Sequence, residues 1–122
     1  MKVLVVDDSK VARMTVIKVL TELIPEGVEI AEAGNGVDAL ASYKEMRPDL
    51  VFLDLTMPDM DGYEALGRLK IIDPDAVVYV VSADIQPGAL ERVMALGAKR
   101  HVPKPMTCAK MEEILKEAGY VI

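Results

Sequence analysis

The chain has 122 residues, with fourteen Lys and Arg against twenty Asp and Glu, a net charge of -6, 52% hydrophobic and 28% charged residues, one Phe and no Trp. That length fits one domain, residues 1–122, large enough to bury a single core, and the composition excludes a disordered or repetitive chain. The negative field repels phosphate backbones and anionic lipid, so no direct nucleic-acid contact is expected.

Lys2 to Val6 is a short apolar run ending at two aspartates, and it reads as a strand buried on both faces. Its four apolar residues are too few for a signal-peptide core or a membrane span, so secretion and membrane insertion are not expected. Val16, Val19, Leu20 and Leu23 then fall at helical spacing. After the turn Pro25-Glu26-Gly27, Val28 to Ala31 is a weaker strand interrupted by Glu29, as suits a sheet edge. After the turn signal Asn35-Gly36 comes a second helix, whose apolar stripe is read as Val37, Leu40 and Ala41.

Pro48-Asp49 leads into a Val-containing run from Leu50 to Leu53, the third strand. Pro58 to Gly62 reads as a turn with Asp61 capping a third helix, which carries Ala65, Leu69 and Ile72. Val77 to Val81 is the fourth strand, followed by a helix with Ala89, Val93 and Leu96 that ends at Gly97. Arg100 to Val102 is a second edge-like strand, and Met111, Ile114, Leu115 and Ala118 mark the fifth helix. The eight Met residues are expected mainly as core filler. Cys108, the only thiol, cannot form an internal disulfide, and a cytoplasmic location is expected.

Strict strand-helix alternation implies right-handed crossovers and helices on both faces of a parallel sheet, a doubly wound (βα)5 α/β domain. In such sheets ligands sit beyond the carboxyl ends of the strands. Here the first strand ends in Asp7-Asp8, the third in Asp54 and the fourth in Ser82, while the fifth leads into Lys104. Carboxylates crowded together raise one another's pKa, so positive charge is needed among them. An all-oxygen set without His or Cys suits a hard cation, and Mg²⁺ is the expected one, with Mn²⁺ as a substitute. An ionised Asp54 beside that cation is a competent nucleophile toward phosphorus, with Lys104 and Ser82 placed to take phosphoryl oxygens.

Asp7-Asp8, Asp54 with Met57-Pro58 and Asp61-Gly62, Ser82-Ala83 and Lys104-Pro105 together resemble the signature of bacterial response-regulator receiver domains, over essentially the whole chain. The resemblance implies a flavodoxin-like five-stranded parallel sheet of order 2-1-3-4-5. It also implies phosphorylation at Asp54 and a metal site made of Asp8, Asp54, Asp7 through water, and the backbone carbonyl of Thr56. Ser82 would be the mobile hydroxyl, Lys104 its ammonium partner, and the bond before Pro105 would be cis. Thr56 and Asp84 would tune access of hydrolytic water. His101 stands where relatives carry the Tyr or Phe of the switch, so it is either a switch with a smaller, ionisable ring or an exposed edge residue.

The resemblance also implies a histidine kinase as phosphodonor and a stand-alone, chemotaxis-type regulator. Its output is expected through protein contacts of the fourth helix, fifth strand and fifth helix, because the chain ends soon after the fifth helix. A phosphorelay intermediate serving a histidine phosphotransfer protein is the alternative. The chain is expected to be no enzyme beyond assisting its own phosphorylation and dephosphorylation. A Mg²⁺-dependent aspartyl phosphatase is disfavoured because Thr56 occupies the place of the second Asp such chemistry uses as general acid. No Gly-x-Gly-x-x-Gly or Gly-x-x-x-x-Gly-Lys loop follows a strand, which argues against a nucleotide-binding module.

Overall fold

The computed structural model describes residues 1–58, 60–83 and 86–120. Five strands alternate with five helices: β1 Lys2–Val6, α1 Lys10–Leu23, β2 Glu29–Ala33, α2 Gly36–Met46, β3 Leu50–Leu53, α3 Gly62–Ile72, β4 Val78–Ser82, α4 Pro87–Ala95, β5 Arg100–Pro103 and α5 Cys108–Glu117. The strands form one parallel sheet of order β2-β1-β3-β4-β5, as the resemblance implies. The two strands read as edges from their polarity, β2 and β5, are the edges.

Side chains of successive strand residues point to opposite faces, and the apolar runs fill two separate cores accordingly. Leu4, Val6, Val51, Leu53, Val78 and Val80 pack on one face with Ala39 and Tyr43 of α2, Leu66 and Leu69 of α3 and Val93 of α4. Val3, Val5, Leu50, Phe52, Tyr79 and Val81 pack on the other with Val16 and Leu20 of α1 and Met111, Ile114 and Leu115 of α5. Phe52 and Tyr79 stack there with ring centroids 6.0 Å apart. The helices are therefore divided three and two between the faces.

Four helices begin with a side chain that satisfies an otherwise orphaned N–H. Ser9, Asn35, Asp61 and Thr107 accept from Ala12, Asp38, Glu64 and Lys110 respectively. The Asp61 cap was legible in sequence. α4 has no side-chain cap bond and starts instead at Pro87, whose missing N–H costs nothing in the first turn.

The second helix differs from its expected stripe. Val37 is 58% exposed and Ala41 is exposed, and the buried face is Gly36, Ala39 and Tyr43. Tyr43 is buried and its hydroxyl donates to Asp73, the C-cap of α3, at 2.7 Å, so the aromatic ring rather than the aliphatic positions marks the buried side. β4 is displaced one residue from its expected span, because Ser82 continues the ladder opposite Pro103. Of the methionines, Met57, Met106 and Met111 are core, whereas Met14 and Met94 are exposed. Among the described residues, no helix is long and apolar enough to cross a membrane.

Candidate phosphoryl-accepting site

The site lies one step past the strand ends, and the ladder itself builds it. Val6 of β1 is in register with both Ala33 of β2 and Leu53 of β3. Asp7 donates its N–H to the carbonyl of Ala33 at 3.1 Å, Asp54 to that of Val6 at 2.9 Å, and Lys104 to that of Ser82 at 3.0 Å. Each residue is thus fixed by a final ladder bond while its side chain leaves the sheet at the carboxyl edge.

Asp7 and Asp54 are 6% and 4% exposed, and Asp8 is exposed. One carboxylate oxygen from each of the three lies within 4.8 Å of the others. Lys104 Nζ reaches into the group, 2.8 Å from Asp7 Oδ2 and 3.3 Å from Asp54 Oδ1. The other oxygen of Asp7 accepts the Ser9 N–H at 2.9 Å, so this carboxylate is held from two sides.

Burial, and then the neighbouring charge of Asp7, push the Asp54 carboxyl up, against the lowering effect of Lys104. Burial alone would lower the Lys104 ammonium, but its hydrogen bond to Asp7 and the charge of Asp54 prevail and hold it above the usual range. One ammonium among three carboxylates leaves an excess of negative charge. With an all-oxygen donor set converging within 4.8 Å, these residues fit a hard divalent cation, with Asp7, Asp8 and Asp54 as its holders.

Ser82, the last residue of β4, is 1% exposed, and its backbone carbonyl accepts the Lys104 N–H. Thr56, itself exposed, lies two residues past Asp54 in the connection between β3 and α3. Asp84 lies outside the described residues. The Lys104-Pro105 peptide is cis, as the resemblance implies. His101 is neither fully exposed nor enclosed, and its Nε2 is buried with no hydrogen-bond partner.

Three residues, of which sequence reasoning passed over Arg13 and Lys110, shape the site through backbone. Arg13 donates to the carbonyl of Asp7 at 2.6 Å and pairs with Glu32 at 2.9 Å, tying the β1–α1 turn to β2. A Cβ on Gly62 would land on the carbonyl oxygen of Asp54 and the Cα of Leu55, so α3 starts in direct contact with the Asp54 backbone. Lys110 donates to the carbonyls of Pro103 and Pro105, on either side of Lys104. Only the Asp61-Gly62 pair left a trace in sequence, as part of the receiver-domain signature and as a turn leading into the third helix.

A parallel (βα)5 sheet with three acids and a lysine at its carboxyl edge is the frame of a signalling receiver module, and the family model for the response regulator receiver domain matches residues 3–116. The chain belongs to that family of two-component signalling proteins. It is 39% identical over 119 residues to chemotaxis protein CheY of Listeria monocytogenes, covering 98% of each chain. It is 34% identical to sporulation initiation phosphotransferase F of Bacillus subtilis, over 95% of this chain and 91% of that one. Among solved structures it resembles the CheX-CheY-BeF3-Mg complex of Borrelia burgdorferi, with a TM-score of 0.82, 32% identity and coverage of 96% and 88%.

Proposed function

We propose that this receiver is phosphorylated on Asp54 by the phosphohistidine of a histidine kinase and signals by a phosphorylation-dependent change in its protein contacts. The observation that carries the reading is Lys104 Nζ bridging Asp7 and Asp54 inside a group of three carboxylates. In line with that placement, an oxygen of Asp54 attacks phosphorus, the O–P bond forms as the P–N bond of the donor breaks, and the departing imidazole takes up a proton. Lys104, already oriented by Asp7, moves its charge onto a phosphoryl oxygen, and the Ser82 hydroxyl takes another.

Asp7, Asp8 and Asp54, with the Thr56 carbonyl, would hold Mg²⁺ or Mn²⁺. When bound, this cation offsets the acidic cluster and the charge of the phosphoryl oxygens. The chain is itself the acceptor, so no separate substrate is turned over. The relative named as a phosphotransferase supports a second reading, in which the phosphoryl group passes on to a histidine phosphotransfer protein. The chemotaxis relatives favour the first, with output through α4, β5 and α5, where Ser82 and His101 adjoin.

Incubation with acetyl phosphate and Mg²⁺, followed by intact mass measurement, tests the assignment. One phosphoryl adduct is expected on the wild type and none on Asp54→Asn. Donor turnover without an adduct would point to a phosphatase and reject the proposal.

A further inference from the structure

Lys110 sits in the first turn of α5, where a cation is opposed by the helix dipole. It stays there because its ammonium has two acceptors: Nζ lies 2.9 Å from the Pro103 carbonyl and 3.1 Å from that of Pro105. Those residues flank Lys104. The Pro103–Lys104 peptide donates its N–H inward, to the Ser82 carbonyl at 3.0 Å. Its carbonyl therefore faces the free edge of β5, where no strand is available, and Lys110 supplies the missing donor. The peptide plane that carries Lys104 is thus held at both ends, by β4 on one side and by α5 on the other.

We propose that Lys110 is a positioning residue for Lys104, bracketing the β5–α5 connection so that the Lys104 ammonium meets the Asp54 site at its working position. The inference rests on the phosphoacceptor reading for its kinetic consequence, while the bracket itself is a property of the backbone. Misplacement of a catalytic group by an ångström can cost about 100-fold in rate. Loss of one bracket out of two is expected to cost about tenfold.

The test compares wild type, Lys110→Met, Lys110→Arg and, as a destabilised control remote from the site, Tyr43→Phe. Two quantities are read: hydrogen exchange of the Lys104 amide without magnesium, and the rate of Asp54 labelling by acetyl phosphate at saturating Mg²⁺. Lys110→Met is expected to speed exchange at Lys104 relative to residues 51–53 and to slow labelling about tenfold, with Mg²⁺ affinity within about twofold of wild type. Lys110→Arg, which keeps a charged donor, is expected to restore both. Exchange at Lys104 unchanged in Lys110→Met, or labelling slowed no more than in Tyr43→Phe, overturns the proposal. A wild type that takes no label removes the phosphoacceptor reading instead, and the exchange arm still decides the bracket.

Discussion

Asp54 is buried, crowded by Asp7 and paired with the Lys104 ammonium, and all three residues stand one step beyond a strand. That is why the acids stood out in sequence: a charged side chain ending an apolar run is a chemical discontinuity, whereas Ser82 and Lys104 were picked out by their place at the ends of the fourth and fifth strands. Gly62, Arg13 and Lys110 act on backbone atoms, and no pattern of side-chain types announces such a contact. Gly62 makes the sharpest prediction at this scale. In Gly62→Ala the added methyl must displace the Asp54 backbone, so urea unfolding is expected to show a loss of about 1–3 kcal/mol. Acetyl phosphate labelling of the folded fraction is expected to slow as well, because the carboxylate moves with its own main chain. Arg13→Ala frees the Asp7 carbonyl and is expected to weaken Mg²⁺ binding, read by titration, with labelling at saturating Mg²⁺ less affected.

At the scale of elements, the helix period placed all five helices, and the caps at Ser9, Asn35, Asp61 and Thr107 explain where four of them start. α2 was the exception, since its buried face is chosen by one long polar-tipped ring that aliphatic periodicity does not count. The Tyr43–Asp73 bond joining α2 to α3 gives that choice a pH signature. Burial, then the bond to Asp73, raises the Tyr43 phenol, whereas the Tyr43 bond is the main cause that lowers the Asp73 carboxyl. A raised phenol contributes stability below the unfolded tyrosine value of about 10 and loses it as pH climbs through the folded value. A lowered carboxyl contributes above the unfolded aspartate value of about 3.9 and loses it as pH falls through the folded one. Tyr43→Phe is therefore expected to melt below wild type by a constant margin across neutral pH, with the margin narrowing toward both extremes. A margin independent of pH from acid to alkali would contradict the pairing.

For the whole molecule, the excess negative charge collected at one rim of a chain already at -6 makes cation binding and stability two sides of one equilibrium. Magnesium at about a hundred times its dissociation constant is expected to stabilise the native state by about 2.7 kcal/mol. Thermal melts of wild type should therefore rise with Mg²⁺ while those of Asp8→Asn rise much less. The strand order was carried by resemblance, since alternation alone gives handedness and layering but not which strand neighbours which. β3 is central, and its four buried apolar residues pair with β1 on one side and β4 on the other.

That central strand has a mechanical consequence. Leu50 to Leu53 are sealed into opposite laminae by turns, and no solvent-facing surface lets the strand rotate or slide. Asp54 is therefore mounted like a fixed electrode, and on the proposed function whatever moves when charge arrives must be the outer parts: the connections along the carboxyl rim and the lightly clad border strand β5. Sequence drift in those connections can retarget the partner while the anvil beneath Asp54 stays still.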